Sequence, residues 1–143
     1  METSTWWTAP TESENGRLIL VTGRKDVEKF RSNPRFSIRV EVTWQYHGDA
    51  TGMPDTETST LMEQVQDALQ SAFSKDPVAV LTGIFTGDNQ RDWIFYTLST
   101  HIFGRKLNEA LADFPLLPIS IYTENDPGWE EYDEMSQAEI RLD

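Results

Sequence analysis

The chain of 143 residues contains no cysteine. This absence excludes disulfide bonds, thiolate metal sites and a cysteine nucleophile, and it fits the reducing conditions of the cytoplasm, where we expect the protein to be located. The chain also lacks any apolar run near the ~20 residues that a membrane-spanning helix needs. Its first residues show neither a basic segment nor an apolar one, so they do not resemble a signal peptide. We therefore expect no contact with a membrane.

Basic residues are scarce. Lys and Arg number 12 against 24 Asp and Glu, which gives a formal net charge of −12. Residues 1–48 carry seven bases and six acids, a net charge of +1, whereas residues 49–143 carry a net charge of −13. Such a field repels the phosphates of nucleic acids and anionic lipids, so we expect no nucleic-acid partner. It attracts basic proteins, and the alternative is that the acidity only keeps the protein soluble.

Motifs for catalysis and cofactor binding are also missing. His47 and His101 are the two histidines, and no G-x-S-x-G elbow precedes a helix. The segment TGIFTGDNQ lacks the pattern of a phosphate-binding loop, so Gly83 and Gly87 predict a bulge and a turn instead. We predict no catalytic residues and no cofactor, and we expect a protein that is not an enzyme, although a small enzyme remains the alternative.

One loop gathers several side chains that can bind metals. The segment HGDATGMPDTE contains His47, Asp49, Asp55 and Glu57. Carboxylate oxygens and an imidazole on one loop suit a divalent cation, but their spacing matches neither a calcium-binding loop nor a zinc-binding helix. We therefore interpret the segment as a solvated loop that caps the next helix, and we predict no metal site.

The most regular pattern lies in residues 36–46, FSIRVEVTWQY. Its even positions are apolar or aromatic and its odd positions are polar, among them Arg39, Glu41, Thr43 and Gln45. Strict alternation predicts a strand with one buried face and one wetter face. We propose these four polar residues as a candidate binding surface on the face of the sheet away from the helices.

The elements that follow predict the fold. Apolar residues at helical spacing indicate a helix beginning near Thr60, which forms an S/T-x-x-E capping pattern with Glu63, and a second helix over 100–114. Between them, VAVLTGIFTG and WIFYTL predict a hairpin, and LPISIY predicts a last strand. The order is β-α-β-β-α-β, which is typical of an α+β ferredoxin-like fold with an antiparallel sheet and two helices on one face.

We predict a single domain with three parts. An N-terminal extension (1–35) contains the predicted strands STWWTA and RLILVTG and a short helical turn near 26–30, and it either extends the sheet or covers an edge. The βαββαβ core spans 36–122, and an acidic C-terminal segment spans 123–143. Residues 24–39 carry six bases against two acids, and we expect them to pair with that acidic segment. A phosphate-bearing ligand and plain solvent exposure are the alternatives.

The C-terminal segment contains the run ENDPGWEEYDEM. Trp129 and Tyr132 share one face of a helical turn that Asp126 can cap. We expect both rings to dock over one end of the sheet, against Trp6 and Trp7. The functional alternative makes this run a contact surface for a basic protein. Its candidate residues are Trp129, Glu130, Glu131, Tyr132 and Asp133.

Several of these motifs, taken in order, resemble a known family. They are Trp6 or Trp7, Trp44-Gln45-Tyr46, Gly52-Met53-Pro54, Thr86-Gly87 followed by Arg91-Asp92-Trp93-Ile94-Phe95-Tyr96, and Asp126 to Tyr132. The chain resembles the bacterial family called domain of unknown function 695 over nearly its whole length. That family has no agreed activity, so the resemblance implies no catalytic residues. Some relatives carry this domain beside one that looks like a protein regulator of ribonuclease E, which implies a regulatory role.

Two hypotheses of function follow. The first is a non-catalytic binding or regulatory module that engages a basic protein through its acidic surface or its open sheet face. The second is a small enzyme or small-ligand binder with a pocket on the helix-free face of the sheet. The sequence leaves the oligomeric state and the identity of any partner open.

Overall fold

The computed structural model describes residues 6–140, which form a six-stranded sheet and four helices. The strands are β1 (Trp6–Glu12), β2 (Leu18–Arg24), β3 (Ile38–Gln45), β4 (Ala79–Gly87), β5 (Gln90–Thr97) and β6 (Ile119–Asn125). The helices are α1 (Glu28–Arg31), α2 (Thr56–Lys75), α3 (Thr100–Ala110) and α4 (Glu130–Ile140). The predicted first strand also included residues 4 and 5, which lie outside the described residues. No helix among residues 6–140 is long and apolar enough to cross a bilayer.

The strands lie in the order β1-β2-β4-β5-β3-β6, and every neighbouring pair is antiparallel. The α+β class and the antiparallel sheet are confirmed. The order is not that of a simple ferredoxin-like fold, because the β1–β2 hairpin adds two strands beyond β4. Of the two possibilities that the sequence left open for the N-terminal strands, the structure contains the extension of the sheet.

One face of the sheet carries α2 and α3. The even positions of β3, Val40, Val42 and Trp44, are buried there together with Trp93 and Phe95 of β5. The helices contribute the apolar positions of their inner faces, which are Met62, Val65, Leu69, Phe73, Phe103 and Leu107. The alternation predicted for β3 therefore places its odd residues on the opposite face, which α2 and α3 leave uncovered.

A β-bulge in β4 decides which residues reach that uncovered face. The pairing with β5 shifts between Leu81 and Gly83, so Thr82 is the extra residue, and its hydroxyl donates to the carbonyl of Ile94 at 3.3 Å. Before the bulge, Leu81 points into the core beneath α2 and α3. After it, Phe85 lies on the other face, because an inserted residue reverses the alternation. The predicted bulge is confirmed beside Gly83.

Two local predictions were wrong. Helix α2 begins at Thr56, with Asp55 as its N-cap accepting from the amide of Thr58 at 2.7 Å, so Thr60 lies inside the helix and not at a capping box. Phe36 precedes β3 and is buried in a separate cluster with Trp129, rather than continuing the alternation of the strand. A turn in which the amide of Phe36 donates to the carbonyl of Asn33 redirects the chain there.

The hairpin between β4 and β5 is confirmed. Gly87 pairs with Gln90, so the loop consists of Asp88 and Asn89, which both adopt positive φ values of 51° and 71°. These angles are those of a type I′ turn, whose twist matches that of the two strands and which favours Asn and Asp. The tight hairpin fixes the register of β4 and β5, and this register determines which of their residues lie on the uncovered face of the sheet.

Candidate functional site

The face without α2 and α3 is only partly covered. Helix α4 contacts β1, β2 and β4 on this side, and Met135 lies so close to Gly83 that a Cβ atom there would collide with its sulfur. Over β3 and β5 the helix leaves a cleft of about 390 Å³. We call it the acidic cleft, and its charged lining residues are Arg39, Glu41, Asp92, Glu131 and Glu134. Its apolar lining residues are Val21, Phe85, Ile94, Met135 and Ala138.

Arg39 is the basic residue of the acidic cleft. Its guanidinium donates to Glu41 on the same strand and, at 3.2 Å, to Glu124 on β6. Burial alone would lower the pKa of Arg39, but the hydrogen bond and the charge of Glu41 raise it above its ordinary value. Arg39 is therefore a permanent cation whose donors already have two carboxylate partners. It offers little attraction to an additional anion.

Asp92 forms the floor of the cleft on β5. Thr43 pairs with it across the two strands, and the Thr43 hydroxyl donates to the Asp92 carboxylate at 2.6 Å. Gln90 also donates to this carboxylate, at 3.0 Å. Within residues 6–140, Asp92 has no ion pair with a basic side chain. These neutral donors fix its position and leave its negative charge uncompensated.

Helix α4 supplies the second wall of the cleft. Glu131 and Glu134 line it together with the apolar side chains of Met135 and Ala138. Desolvation and the negative charges of Glu134, Glu124 and Asp126 raise the pKa of Glu131, and the charge of Arg39 opposes this rise. Partial burial is thus the main cause of the raised pKa of Glu131, and the three neighbouring carboxylates add to it.

The turn at residues 126–129 anchors α4. The buried Asp126 carboxylate accepts from the amides of Glu130 and Glu131, each at 3.0 Å, and from the hydroxyl of Tyr96 at 2.7 Å. Burial by itself would raise the pKa of Asp126, but these three donors lower it below its ordinary value. Asp126 thus caps the helix, as the sequence predicted, and ties the helix to β5.

Trp129 completes this anchor. Its side chain is 1% exposed, its ring stacks on Tyr96 with a centroid distance of 4.0 Å, and its Nε1 donates to the carbonyl of Phe36 at 2.8 Å. The φ angle of Trp129 is +55°, a value that costs energy for a bulky side chain. The surrounding contacts offset that cost, so the ring determines where α4 begins.

Tyr132 and Arg31 hold the outer side of the anchor. Tyr132 contacts the Trp129 ring edge-on at 5.6 Å, and its hydroxyl donates to the carbonyl of Arg24. Arg31 donates to both carboxylate oxygens of Asp133, at 2.8 and 2.7 Å. The docking of both rings is confirmed, but against Tyr96 and the end of β2 rather than against Trp6 and Trp7. The expected pairing between the basic segment and the tail includes Arg31–Asp133 and Arg39–Glu124.

The structure divides the five candidate residues of the C-terminal run. Trp129 is in the core, whereas Glu130, Glu131 and Asp133 are exposed. Of this set, Glu131 lines the acidic cleft. Contact of the set with a basic partner stays a prediction. Any such contact in this conformation excludes the enclosed tryptophan ring and leaves the three exposed acids and the half-buried Tyr132.

The predicted surface on the sheet face, formed by Arg39, Glu41, Thr43 and Gln45, lies only partly in the acidic cleft. Arg39 and Glu41 line the acidic cleft, and Thr43 contacts it through Asp92. Gln45 is exposed at the end of β3 and borders a separate groove beside Pro118. Asp92 and Glu134 were missed. Gln90, Asp92 and Ile94 are spaced by two along β5 and so share one face of the strand, which was a signal for Asp92. No pattern in the sequence places α4 over the sheet, so Glu134 had no such signal.

The loop at 47–57 is organised by its own side chains. The Asp49 carboxylate accepts from the amides of Thr51 and Met53 and from the Thr51 hydroxyl, and these bonds lower its pKa below the ordinary value. Asp55 caps α2. No cluster of three or more His, Asp or Glu side chains in the described part of the chain is arranged to hold a metal ion.

Comparison with known proteins gives a family and no function. A family model described as a family of unknown function (DUF695) matches residues 5–135, which is nearly the whole chain. No curated protein and no solved structure matches the chain. The matched range includes every strand of the sheet and the 126–129 turn, and it ends within α4. The chain belongs to the family of unknown function DUF695.

Proposed function

We propose that the protein is a non-catalytic binding module whose acidic cleft receives a cationic group carried by a basic protein. The observation that carries this proposal is the charge balance of the cleft. Among residues 6–140, four carboxylates line it, those of Glu41, Asp92, Glu131 and Glu134, and Arg39 is the one basic residue that does so. Arg39 also pairs with Glu124. An incoming cation therefore meets a surplus of negative charge on two opposed walls.

The apolar part of the cleft favours a particular kind of cation. Phe85 and Ile94 of the sheet and Met135 and Ala138 of the helix line the cleft beside the carboxylates. Lys and Arg side chains combine a charged end with an apolar stem, and such stems lie favourably against apolar surface. We therefore expect a lysine or arginine side chain in an accessible segment of the partner to enter between α4 and the sheet.

The location of the histidines supports a non-catalytic role. His47 and His101 are both exposed, and neither lines the acidic cleft. Carboxylates alone can act as an acid and a base, but Asp92 is held by Thr43 and Gln90, and Glu41 is held by Arg39. Both side chains are thus held in place as hydrogen-bond acceptors, an arrangement that suits the binding of a cation.

The volume of the cleft favours one alternative, a binder of small organic cations. A volume of about 390 Å³ falls within the roughly 300–1,000 Å³ of typical ligand pockets. The same carboxylates would then hold a free amine. A regulatory role and a cytoplasmic location stay predictions.

We also propose that residues 36–122 form a ferredoxin-like unit, supported by the order β4-β5-β3-β6.

An NMR titration tests the proposal. A blocked Lys-Leu-Lys peptide is added to the ¹⁵N-labelled protein at low salt, with blocked Gln-Leu-Gln as the uncharged control. We expect shifts concentrated at the amides of Glu41, Asp92 and Glu134, and none with the control peptide. Shifts spread evenly over the acidic surface would contradict the proposal. Shifts at the cleft with butylamine but not with the peptide would favour the small-ligand alternative.

A further inference from the structure

Strand β6 is an edge of the sheet, and no other strand within residues 6–140 pairs with its outer side. The amide of Asp126 donates to the carbonyl of Ser37, and the carbonyl of Pro118 accepts from the amide of Gln45. Hydrogen bonds alternate along an antiparallel strand, so the even residues of β6 bond to β3. The amides and carbonyls of Ile121 and Thr123 consequently point away from the sheet, where another strand can pair with them.

The two edges of the sheet differ in how they are protected. Strand β1, at the opposite edge, contains Pro10, which has no amide hydrogen and disfavours pairing with a further strand. Strand β6 contains no proline, and Glu124 is its one charged residue. Ile121 and Tyr122 on it are 46% and 56% exposed. An unblocked edge with exposed apolar side chains on both faces is typical of a strand that pairs with another chain.

We propose that β6 pairs antiparallel with β6 of a second copy of this chain, joining two sheets across a two-fold axis. Because Ile121 and Thr123 present the outward backbone groups, a symmetric register pairs Ile121 of one copy with Thr123 of the other. This register places Tyr122 opposite Tyr122 at a site without hydrogen bonds, where the side chains are closest. Four backbone hydrogen bonds then form between Ile121 and Thr123 of the two chains.

The charges on β6 are compatible with this register. Glu124 lies opposite Ser120 of the second copy and therefore avoids the other Glu124. Directly opposed like charges would destabilise the pair. The rest of each chain is less favourable, because two molecules of net charge −12 repel each other. Self-association should therefore strengthen as salt is added, which is the opposite of the behaviour expected for a basic partner.

The pairing has a consequence for the acidic cleft. A two-fold axis perpendicular to the sheet keeps the two uncovered faces on the same side. Strand β3, which carries Arg39 and Glu41, is the neighbour of β6. The two copies of β3 would be separated by three strand spacings, or about 14 Å. A dimer would thus present two clefts side by side, although the pairing itself does not require that the clefts bind anything.

Sedimentation equilibrium tests the association. A single strand pair buries less than the roughly 1,200–2,000 Å² of a stable interface. We therefore expect a weak dimer with a dissociation constant on the order of 0.1 mM. The dimer fraction should rise between 0.1 M and 1 M NaCl, since the screening length falls from about 10 Å to about 3 Å. A chain that stays monomeric at 1 mM in 1 M NaCl would overturn the proposal.

Cross-linking tests the register, and the absence of cysteine makes the experiment clean. Under mild oxidation the Tyr122→Cys variant should form a disulfide-linked dimer, because the paired Cα atoms would lie about 4.5 Å apart. Thr8→Cys, at an exposed position of the opposite edge strand, is the matched control and should cross-link at least tenfold more slowly. Equal rates for the two variants would contradict the predicted contact.

A proline substitution tests the backbone pairing itself. Thr123→Pro removes an amide that points away from the sheet, so the fold should persist while the dimer fraction falls to background. Thr123→Ala keeps the amide and should associate like the wild type. Circular dichroism and the melting temperature identify any folding defect in the proline variant. A folded Thr123→Pro protein that still dimerises, or an edge that binds only an added basic peptide, would rule out pairing of β6 with β6.

Discussion

Replacing Trp129 with alanine should lower the free energy of unfolding by about 3–5 kcal/mol, as expected for removal of a large buried aromatic side chain. The ring is 1% exposed and lies between Tyr96 and Tyr132. Its loss leaves a cavity beneath the start of α4 and removes the donor to the carbonyl of Phe36. Urea denaturation at neutral pH, followed by circular dichroism, measures the difference.

Two controls separate packing from charge in this region. Trp129→Phe retains an aromatic ring but not the Nε1 donor. It should lower the free energy of unfolding by about 1–2 kcal/mol, because the buried carbonyl of Phe36 loses its partner. The double variant Glu130→Gln/Glu131→Gln changes exposed side chains and should alter stability by no more than about 0.5 kcal/mol. Similar losses for Trp129→Ala and the double glutamine variant would show that the charged face also supports the fold.

Replacing Asp126 with alanine should cost about 2–4 kcal/mol, because one buried and two partly buried donors lose their shared acceptor. These donors are the amides of Glu130 and Glu131 and the hydroxyl of Tyr96. Asp126→Asn keeps one acceptor oxygen for the amides and should lose less. Tyr96→Phe removes one donor, and the double variant with Asp126→Ala measures the coupling between these two side chains. Independent, additive losses would show that the Tyr96–Asp126 bond contributes nothing.

The same carboxylate predicts a dependence of stability on pH. The pKa of Asp126 is lower in the folded protein than in the unfolded chain, so folding favours its ionised form. Its contribution should be complete above the unfolded value of about 3.9 and should be lost as the pH falls through the lower, folded value. The free energies of unfolding of the wild type and of Asp126→Asn should therefore converge as the pH falls below about 4. A stability difference that stays constant down to pH 2 would contradict this linkage.

The sequence predicted those parts of the fold that local patterns determine. The alternation in β3 assigned Arg39 and Glu41 to the face away from the helices, and the Asp88-Asn89 pair is typical of the tight turn that the structure contains. The docking of Trp129 followed from its spacing with Tyr132. In each case the side chains of one short segment carry the information, because strand and helix periodicity follow from backbone geometry.

The acidic cleft required information that no single segment contains. Asp92 reaches it only because β3 and β5 pair in one register, and Phe85 faces it only because Thr82 is an extra residue in β4. Glu134 lines it because α4 crosses the sheet, and that placement depends on the contact of Trp129 with Tyr96 and Phe36. Periodicity does not reveal tertiary pairing of this kind, so the sequence identified three of the five charged lining residues, Arg39, Glu41 and Glu131, and missed Asp92 and Glu134.

The most direct test of the central claim compares two double variants with the same change in net charge. Glu131→Gln/Glu134→Gln neutralises the helix wall of the acidic cleft, and Glu57→Gln/Glu109→Gln neutralises exposed acids on α2 and α3. If the cleft binds the cationic group, the dissociation constant for blocked Lys-Leu-Lys should rise about 3–10-fold in the first variant and less than about twofold in the second. Equal weakening in both variants would contradict the account, because it would mean that the peptide responds only to the overall charge of the protein.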